Sequence, residues 1–306
     1  MKIDVYINDV LKSELNNKVV GFEIIDNTGG LVDSLKLSIN NAELTFDVAN
    51  TGVVTPVELV INDVKMGIFF IEYVSHSSSL LVIEGASCNL KLARSVKTRV
   101  FKDTDLKDVL TTLTNELDLS LKLDNELSNK TISYLAQNDT SNMRMLDYLA
   151  EIYYCICNIK DKCLYFLPQN KKQEVITISS EQEIISLYKV DNDLKIYKGV
   201  KASYYDFKEA KPQEITQGSS PYLIINENIE LDLLKELVSS KCKELSREEE
   251  VSLVISGKME MQSGMELEIA LDSGIYIDFK GKYKIMQVIH DYEGGYYKSK
   301  VTLYRI

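Results

Sequence analysis

The sequence predicts an α+β fold that is mostly β, with two related, tube-like antiparallel β-barrels separated by a small α+β domain. Three observations support this prediction. Apolar and polar residues alternate through about the first hundred residues and again beyond residue 199. Helical spacing of apolar residues is confined to parts of 99–154 and to one segment near 228–245. One strand motif occurs twice, ending at His76 and again at His290.

These patterns divide the chain into four segments. We predict a first β-barrel at 1–98, a small α+β domain at 99–170, a polar connector at 171–198 and a second β-barrel at 199–306. A helix at about 228–245 is expected to be inserted in the second barrel. A chain of 306 residues is long enough for two or three domains, in agreement with this division.

The first segment is predicted to be a meander of strands. Alternating apolar residues mark the strands, and Asn- and Gly-rich pairs such as Asn40 and Asn41 mark the turns between them. The runs 67–76 and 80–85 form a further pair around the serines at 77–79. Antiparallel strands of this kind remove their exposed edges when the sheet closes, so we expect a barrel.

Two helices and a hairpin make up the predicted middle domain. Leucines and a valine at helical spacing run from Leu106 to Leu117, with Asp103 or Thr104 as the expected N-cap. A second helix is predicted over 141–154, and it leads into a hairpin of 155–159 and 164–166.

The second barrel is expected to resume the strand pattern at Gly199 and to end on strands at 303–306. Its inserted helix carries Glu230 and Asp232 in the first turn, where acidic side chains suit the helix dipole.

The repeated motif is the most specific feature of the sequence. Both copies share Gly, Ile, Val and His at the same spacing, with an aromatic residue two positions after the Gly. In each copy the first three residues lie on the opposite face of an ideal strand from the last two, so a β-bulge or bend is expected between the Ile and the Val. A chance match of two amphipathic strands is the alternative. The motif residues are Gly67, Phe69, Ile71, Val74 and His76 in the first copy, and Gly281, Tyr283, Ile285, Val288 and His290 in the second.

The motif extends upstream in the predicted alignment. The run 57–59 precedes the first copy, and the run 265–267 is expected to take the same place before the second.

A duplicated barrel would let a trimer present six similar units in a ring, which would join a three-fold object to a six-fold one. A pair of ligand-binding domains is the alternative use.

The composition excludes several functional classes. The net charge of −11 argues against a nucleic-acid-binding surface, which needs clustered Lys and Arg. No apolar run approaches the roughly 20 residues that span a bilayer, and the N-terminus lacks an apolar signal core. We therefore expect cytoplasmic synthesis without membrane insertion. Five cysteines, an odd number, favour reduced thiols over a disulfide framework.

No catalytic, metal or cofactor site is predicted. His76 and His290 lie inside the strand motif, where a histidine that stabilises a bend is the simpler interpretation. The acidic pair Asp105 and Asp108 and the run 248–250 are better explained as solvated helix ends or strand starts than as a glycosidase pair. Cys155, Cys157 and Cys163 could form a thiolate cluster, but three buried thiols are the simpler explanation.

Four stretches of the chain carry a resemblance to a known family. They are the hairpin 21–39, the basic strand 97–101 with the helix that follows it, the segment 137–150, and the terminal strand pair that begins at 281. In this order they resemble the late-control D type tail hubs of contractile-tailed phages, which are related to the hub portion of VgrG spike proteins. The resemblance extends over nearly the whole chain.

The resemblance implies a non-enzymatic baseplate hub. It implies a homotrimer with pseudo-six-fold symmetry that joins a central spike to the tail tube. The partners would be a separate trimeric spike protein, a tail tube or tube-initiator protein, and baseplate wedge components. The hub would assemble in the bacterial host cytoplasm and become part of a virion tail or an extracellular tail-like particle, such as a tailocin or other contractile injection system. The alternatives are another tail adaptor, such as a distal-tail ring protein, and a tail-associated cell-wall hydrolase.

Overall fold

A computed structural model describes residues 1–29, 32–40, 55–77, 79–171, 173–190, 196–206, 210–227, 229–247, 249–272 and 274–306. Some residues of the predicted turns, the inserted helix and the acidic run lie outside these ranges: Gly30, Asn41, Ser78, Asn228 and Glu248.

Strands dominate the described residues, as the sequence predicts. The strands are β1 (Ile3–Ile7), β2 (Val10–Leu11), β3 (Val19–Asn27), β4 (Ser34–Asn40), β5 (Pro56–Ile61), β6 (Val64–His76), β7 (Leu80–Ala86), β8 (Val96–Asp105), β9 (Ser120–Leu123), β10 (Thr131–Ser141), β11 (Cys155–Lys160), β12 (Cys163–Pro168), β13 (Val175–Ile178), β14 (Ile184–Val190), β15 (Lys198–Asp206), β16 (Lys211–Ser219), β17 (Tyr222–Ile225), β18 (Glu250–Ser256), β19 (Glu266–Ile269), β20 (Gly281–Glu293) and β21 (Tyr296–Arg305). The α-helices are α1 (Ser13–Asn16), α2 (Leu90–Ala93), α3 (Leu106–Asn115), α4 (Asn125–Ser128), α5 (Asn142–Tyr153) and α6 (Leu231–Leu245).

One sheet of 13 strands contains two sets of strands with the same order. The first half of this sheet runs β1-β5-β6-β7-β4-β3. The second half runs β13-β19-β20-β21-β18-β14, and each strand takes the same place along the chain as its counterpart. The halves differ in their outer strand, because β1 is antiparallel to β5 whereas β13 is parallel to β19.

The bulge predicted within the repeated motif is present in both copies. The pairing of β6 with β7 shifts between Ile71 and Tyr73, and the pairing of β20 with β21 shifts between Ile285 and Gln287. A second matched shift lies in β3 and β14, around Val20 and Ile185. Shared strand order and two shared irregularities make a chance match untenable, so the halves are structural repeats.

The upstream part of the predicted alignment is wrong by two residues. Leu59 pairs with Gly67 in the first half, and Ile269 pairs with Gly281 in the second. The counterpart of 57–59 is therefore 267–269 rather than 265–267. A shift of two residues keeps the same side chains facing the core, so the sequence pattern could not exclude it.

Each half of the sheet has its own apolar core. The first core contains side chains from β1 and β3–β7, and the second contains side chains from β13, β18–β21 and the loops beside them. Within the described ranges no ladder closes either half into a separate barrel. Instead β3 pairs with β20, so the two halves form one continuous sheet.

A third core gathers the helices and the smaller sheets. It contains buried residues of α3, α5 and β10–β12, together with Val200 and Ala202 of β15 and Leu234 and Val238 of α6. The helix α6 is inserted in the sequence of the second half, but its buried face packs on α5 and β15. The division into domains stays a prediction. The packing differs from it, because β15–β17 and α6 pack with the middle unit, whereas β13 and β14 of the predicted connector belong to the 13-stranded sheet.

The starts of α5 and α3 are capped differently. Ser141 caps α5 and accepts a hydrogen bond from the Arg144 backbone N–H at 3.2 Å. The N-cap of α3 is Asp105 rather than Asp103 or Thr104, because β8 continues to Asp105, which pairs with Thr131. Among the described residues, no helix has the length and apolar character needed to cross a membrane.

Candidate functional site

The junction between the two halves is the most constrained part of the sheet. We define the junction as the antiparallel ladder of β3 with β20, which runs from the pair Gly21 and Glu293 to the pair Asn27 and Gln287. The part of β20 before the bulge pairs with β19, and the part after the bulge pairs with β3. The bulge therefore lies where β20 changes partner along one edge.

His290 is a buried member of the junction. Its side chain is 2% exposed, and the residue pairs with Ile24 of β3. Nε2 lies 3.0 Å from the Met261 carbonyl oxygen, and Nδ1 lies 2.7 Å from the Tyr297 hydroxyl. A carbonyl oxygen only accepts, so Nε2 carries the proton and Nδ1 accepts from Tyr297. Burial lowers the pKa of His290 below its ordinary value, which favours this neutral form.

A buried ionic cluster stands beside this histidine. Lys160 of β11 places its Nζ 2.5 Å from Oδ1 of Asp26 and 2.9 Å from Oδ2 of Asp33. Ser263 donates its backbone N–H to Asp26 at 3.0 Å and also bonds it through its hydroxyl. Asn158 donates to the Ser263 hydroxyl at 2.9 Å. The cluster thus links β3, the middle unit and the loop before β19.

The charges of this cluster depend on one another. Burial, and then the nearby Asp26 carboxylate, raise the pKa of Asp33 to about 7. Burial by itself would lower the pKa of Lys160, but the two carboxylates outweigh it and the pKa is raised. The ammonium group therefore stays charged and compensates carboxylates that would otherwise repel each other.

A cavity of about 230 Å³ lies between the junction and the middle unit. Its lining includes Asp26, Lys160, Met261 and His290. The acidic and basic groups that line it already bond to one another, so the geometry fits a structural contact between units better than a reaction centre.

The first copy of the motif has a different environment from the second. Val74 is half-buried and His76 is exposed, whereas Val288 and His290 are both buried. Phe69 and Ile71, like Tyr283 and Ile285, are buried. The copies therefore match up to the bulge and diverge after it. Divergence begins where β20 gains β3 as a neighbour. At the same place β6 pairs with β7 on one edge, and no described strand pairs with its other edge.

Both motif glycines have a backbone that other residues rarely adopt. Gly67 has φ of +131° and Gly281 has φ of +153°. An added Cβ would lie 3.3 Å from the Phe69 ring in the first copy and 3.2 Å from the Arg305 guanidinium in the second. The shared Gly is thus required by conformation and by space.

The candidate thiols and carboxylates are not brought together. Cys155 and Cys157 are buried, and burial raises the pKa of both thiols, that of Cys157 to about 12. Cys163 is only half-buried, contrary to the prediction of three buried thiols. In the acidic run, Glu249 is bonded by Lys189 at 2.8 Å and by Arg305 at 3.2 Å.

Sequence reasoning found His290 but missed its surroundings. Asp26, Lys160 and Ser263 lie far apart along the chain and share no spacing. The sequence does place Asp26 and Asp33 on either side of a predicted turn. Two carboxylates so placed can share a cation, but their spacing does not identify which side chain supplies it.

No protein-family model matches the sequence, and no curated protein matches it either. Solved structures do match. The 43 kDa tail protein of prophage MuSo2 from Shewanella oneidensis has a TM-score of 0.73 at 7% identity, over 100% of this chain and 98% of that one. A tail protein from Neisseria meningitidis MC58 has a TM-score of 0.75 at 12% identity, over 99% and 96%.

A third similar structure comes from a secretion system. The E. coli c3393 protein, described as a type VI secretion component that resembles the T4 tail proteins gp27 and gp5, has a TM-score of 0.64 at 11% identity. The match covers 99% of this chain and 76% of that one. These similarities confirm, at the level of the fold, the resemblance to tail hub proteins read from the sequence.

Proposed function

We propose that this protein is a structural hub of a contractile phage tail or phage-tail-like particle. In this proposal it is a homotrimer with pseudo-six-fold symmetry that joins a central spike to the tail tube. The observation that carries the proposal is the duplicated half-sheet. Three chains with two similar halves each supply six similar units, which suits a junction between a three-fold spike and a six-fold tube.

The shared fold supports the same proposal. Two of the similar structures are tail proteins, and the third is described as similar to tail proteins of bacteriophage T4. Each match covers nearly the whole of this chain, so the shared architecture includes both halves and the middle unit. We infer that the function lies in assembly and that the protein is not an enzyme.

The partners follow from this role. One face of the ring would contact the tail tube or a tube-initiator protein, and the other would hold a separate trimeric spike protein. Baseplate wedge components would surround it. The net charge of −11 would give the ring little affinity for DNA that passes through it. Assembly would take place in the bacterial cytoplasm before release in a tail or tail-like particle.

The native mass tests this proposal. Light scattering after size exclusion is expected to give three times the 34.8 kDa chain mass for the protein alone. With a co-expressed spike protein, the mass of three spike chains is expected in addition. A monomer under both conditions would contradict the hub. A stable hexamer would favour a distal-tail ring protein, and loss of turbidity in a peptidoglycan suspension would favour a cell-wall hydrolase.

A further inference from the structure

Two edges of the 13-stranded sheet are open at positions that correspond to the junction. In the second half, β20 pairs with β3 after its bulge. Its counterpart β6 pairs with β7 on one side after its own bulge, and no described strand pairs with its other side there. The counterpart of β3 is β14, which pairs with β18 and forms the edge of the sheet. Among the described residues, the chain therefore makes the junction once and presents the counterparts of both junction strands, each with one edge that no described strand pairs.

The exposure of these edges agrees with a missing neighbour. Tyr73 is 58% exposed directly after the β6 bulge, and Tyr188 is 55% exposed in β14. Their counterparts in the junction, Gln287 and Glu23, are half-buried, because each lies beside a neighbouring strand. Natural proteins rarely leave long edge strands with exposed apolar side chains uncovered, because such edges pair with other chains.

We propose that the open edge of β14 in one copy pairs with the open edge of β6 in a second copy, and so repeats the junction between chains. This inference rests on the proposed function and names the surface through which the trimer forms. The contact is head-to-tail, so it produces a closed ring when the rotation between successive halves closes. With three chains, three internal junctions and three junctions between chains would alternate around the ring.

The repeat fixes the register of this pairing. In the junction, Ile24 pairs with His290. The matched ladders make Lys189 the counterpart of Ile24 and His76 the counterpart of His290. The geometry thus pairs His76 of one copy with Lys189 of the next, with Ser75 opposite Val190 and Ser77 opposite Tyr188. The ladder is antiparallel, as in the junction.

Cysteine pairs test both the surface and the register. Directly opposed residues in an antiparallel ladder have Cα atoms about 4.5–5.5 Å apart, which permits a disulfide. We expect the double variant with His76→Cys and Lys189→Cys to form covalent trimers under mild oxidation, a threefold rise in mass on a non-reducing gel. An equimolar mixture of the two single variants is expected to stop at covalent dimers, and the unsubstituted protein should form neither.

The matched control shifts one cysteine by one residue. The pair His76→Cys and Tyr188→Cys places the thiols on opposite faces of the ladder, so covalent trimers are expected to be lost. An internal control, Glu23→Cys with Asp291→Cys, places two thiols across the junction of one chain and should give an intrachain disulfide without a rise in mass.

The outcomes separate this inference from the proposed function. A trimer by light scattering that does not cross-link at His76 and Lys189, or that cross-links better in the shifted pair, overturns the inferred surface and leaves the hub proposal in place. A monomer in every variant overturns both. Covalent trimers in the first pair alone support the inferred surface and its register.

Discussion

The two copies of the strand motif share a backbone and differ in what surrounds them. Both begin at a glycine of positive φ, both bulge one residue after the Ile, and both pair with the strands before and after them in the chain. After the bulge, His290 is enclosed by β3 and the loop that carries Met261, whereas His76 is exposed. The comparison shows that the bulge is a property of the repeat, while burial of the histidine depends on a neighbouring strand.

The largest expected effect concerns the buried ionic cluster beside the junction. Lys160→Ala would leave Asp26 and Asp33 buried without their shared cation. Removal of one partner from a buried ionic group costs about 3–5 kcal/mol, so the free energy of unfolding should fall by that amount in urea titrations. Lys36→Ala is the control, since Lys36 is exposed and lies 3.7 Å from Glu84; a change under about 1 kcal/mol is expected. Equal losses in the two variants would contradict the assigned role.

The next effect compares the two histidines directly. His290→Ala removes the hydrogen bonds of the imidazole to the Met261 carbonyl and to the Tyr297 and Ser299 hydroxyls, and it leaves the Met261 carbonyl without this partner. The unfolding free energy should fall by about 1–3 kcal/mol. His76→Ala should change the unfolding free energy of the monomer by less than about 0.5 kcal/mol, because its side chain is exposed. If His76→Ala destabilised the monomer as strongly, the two sites would not differ as described.

The glycines provide a test of what the copies share. Gly67→Ala and Gly281→Ala each force an L side chain into a conformation it rarely adopts and against a neighbouring group. Each should lower the unfolding free energy by about 1–2 kcal/mol. Similar losses measured by thermal unfolding would sharpen the comparison. A loss in only one variant would mean that the two copies do not share this requirement.

The smallest expected effect is a difference in pH dependence. The lowered pKa of His290 means that the unfolded chain binds a proton more readily than the folded chain below about pH 6.5. The contribution of His290 to stability should therefore be present above that pH and be lost as the pH falls, whereas Asp33, whose pKa is raised to about 7, contributes stability that is lost as the pH rises. The difference in unfolding free energy between the unsubstituted protein and His290→Asn should therefore shrink as the pH falls below about 6.5, because only the unsubstituted protein loses the contribution of His290. A difference that stays constant across this range would contradict the buried neutral form.

Local patterns predicted a good part of this structure. The alternation of apolar residues predicted the strands, and the parity of the motif predicted the bulge at the right position in both copies. Helical spacing located α3, α5 and α6 to within a few residues. Each of these features depends on neighbours along the chain, where side-chain periodicity carries the information.

The remainder depends on contacts between distant parts of the chain. The pairing of β3 with β20 joins residues from opposite ends of the sequence. The residue pattern of neither strand identifies the other as its partner. The packing of α6 on α5 could not be read from its apolar face, which would suit any apolar surface. Lys160 contacts Asp26 and Asp33 because β11 lies beside the junction, a placement that no local pattern predicts.

The matched bulges also bear on the history of the chain. Apart from a few motif residues, the two halves have lost most recognisable similarity in sequence, yet extra residues persist at Val20 and Ile185 and again at Glu72 and Met286. An inserted residue in a ladder is hard to remove without moving every side chain beyond it to the other face. The matched positions of these extra residues are therefore what duplication of one half-sheet would leave in the backbone of both copies, even where their side chains differ.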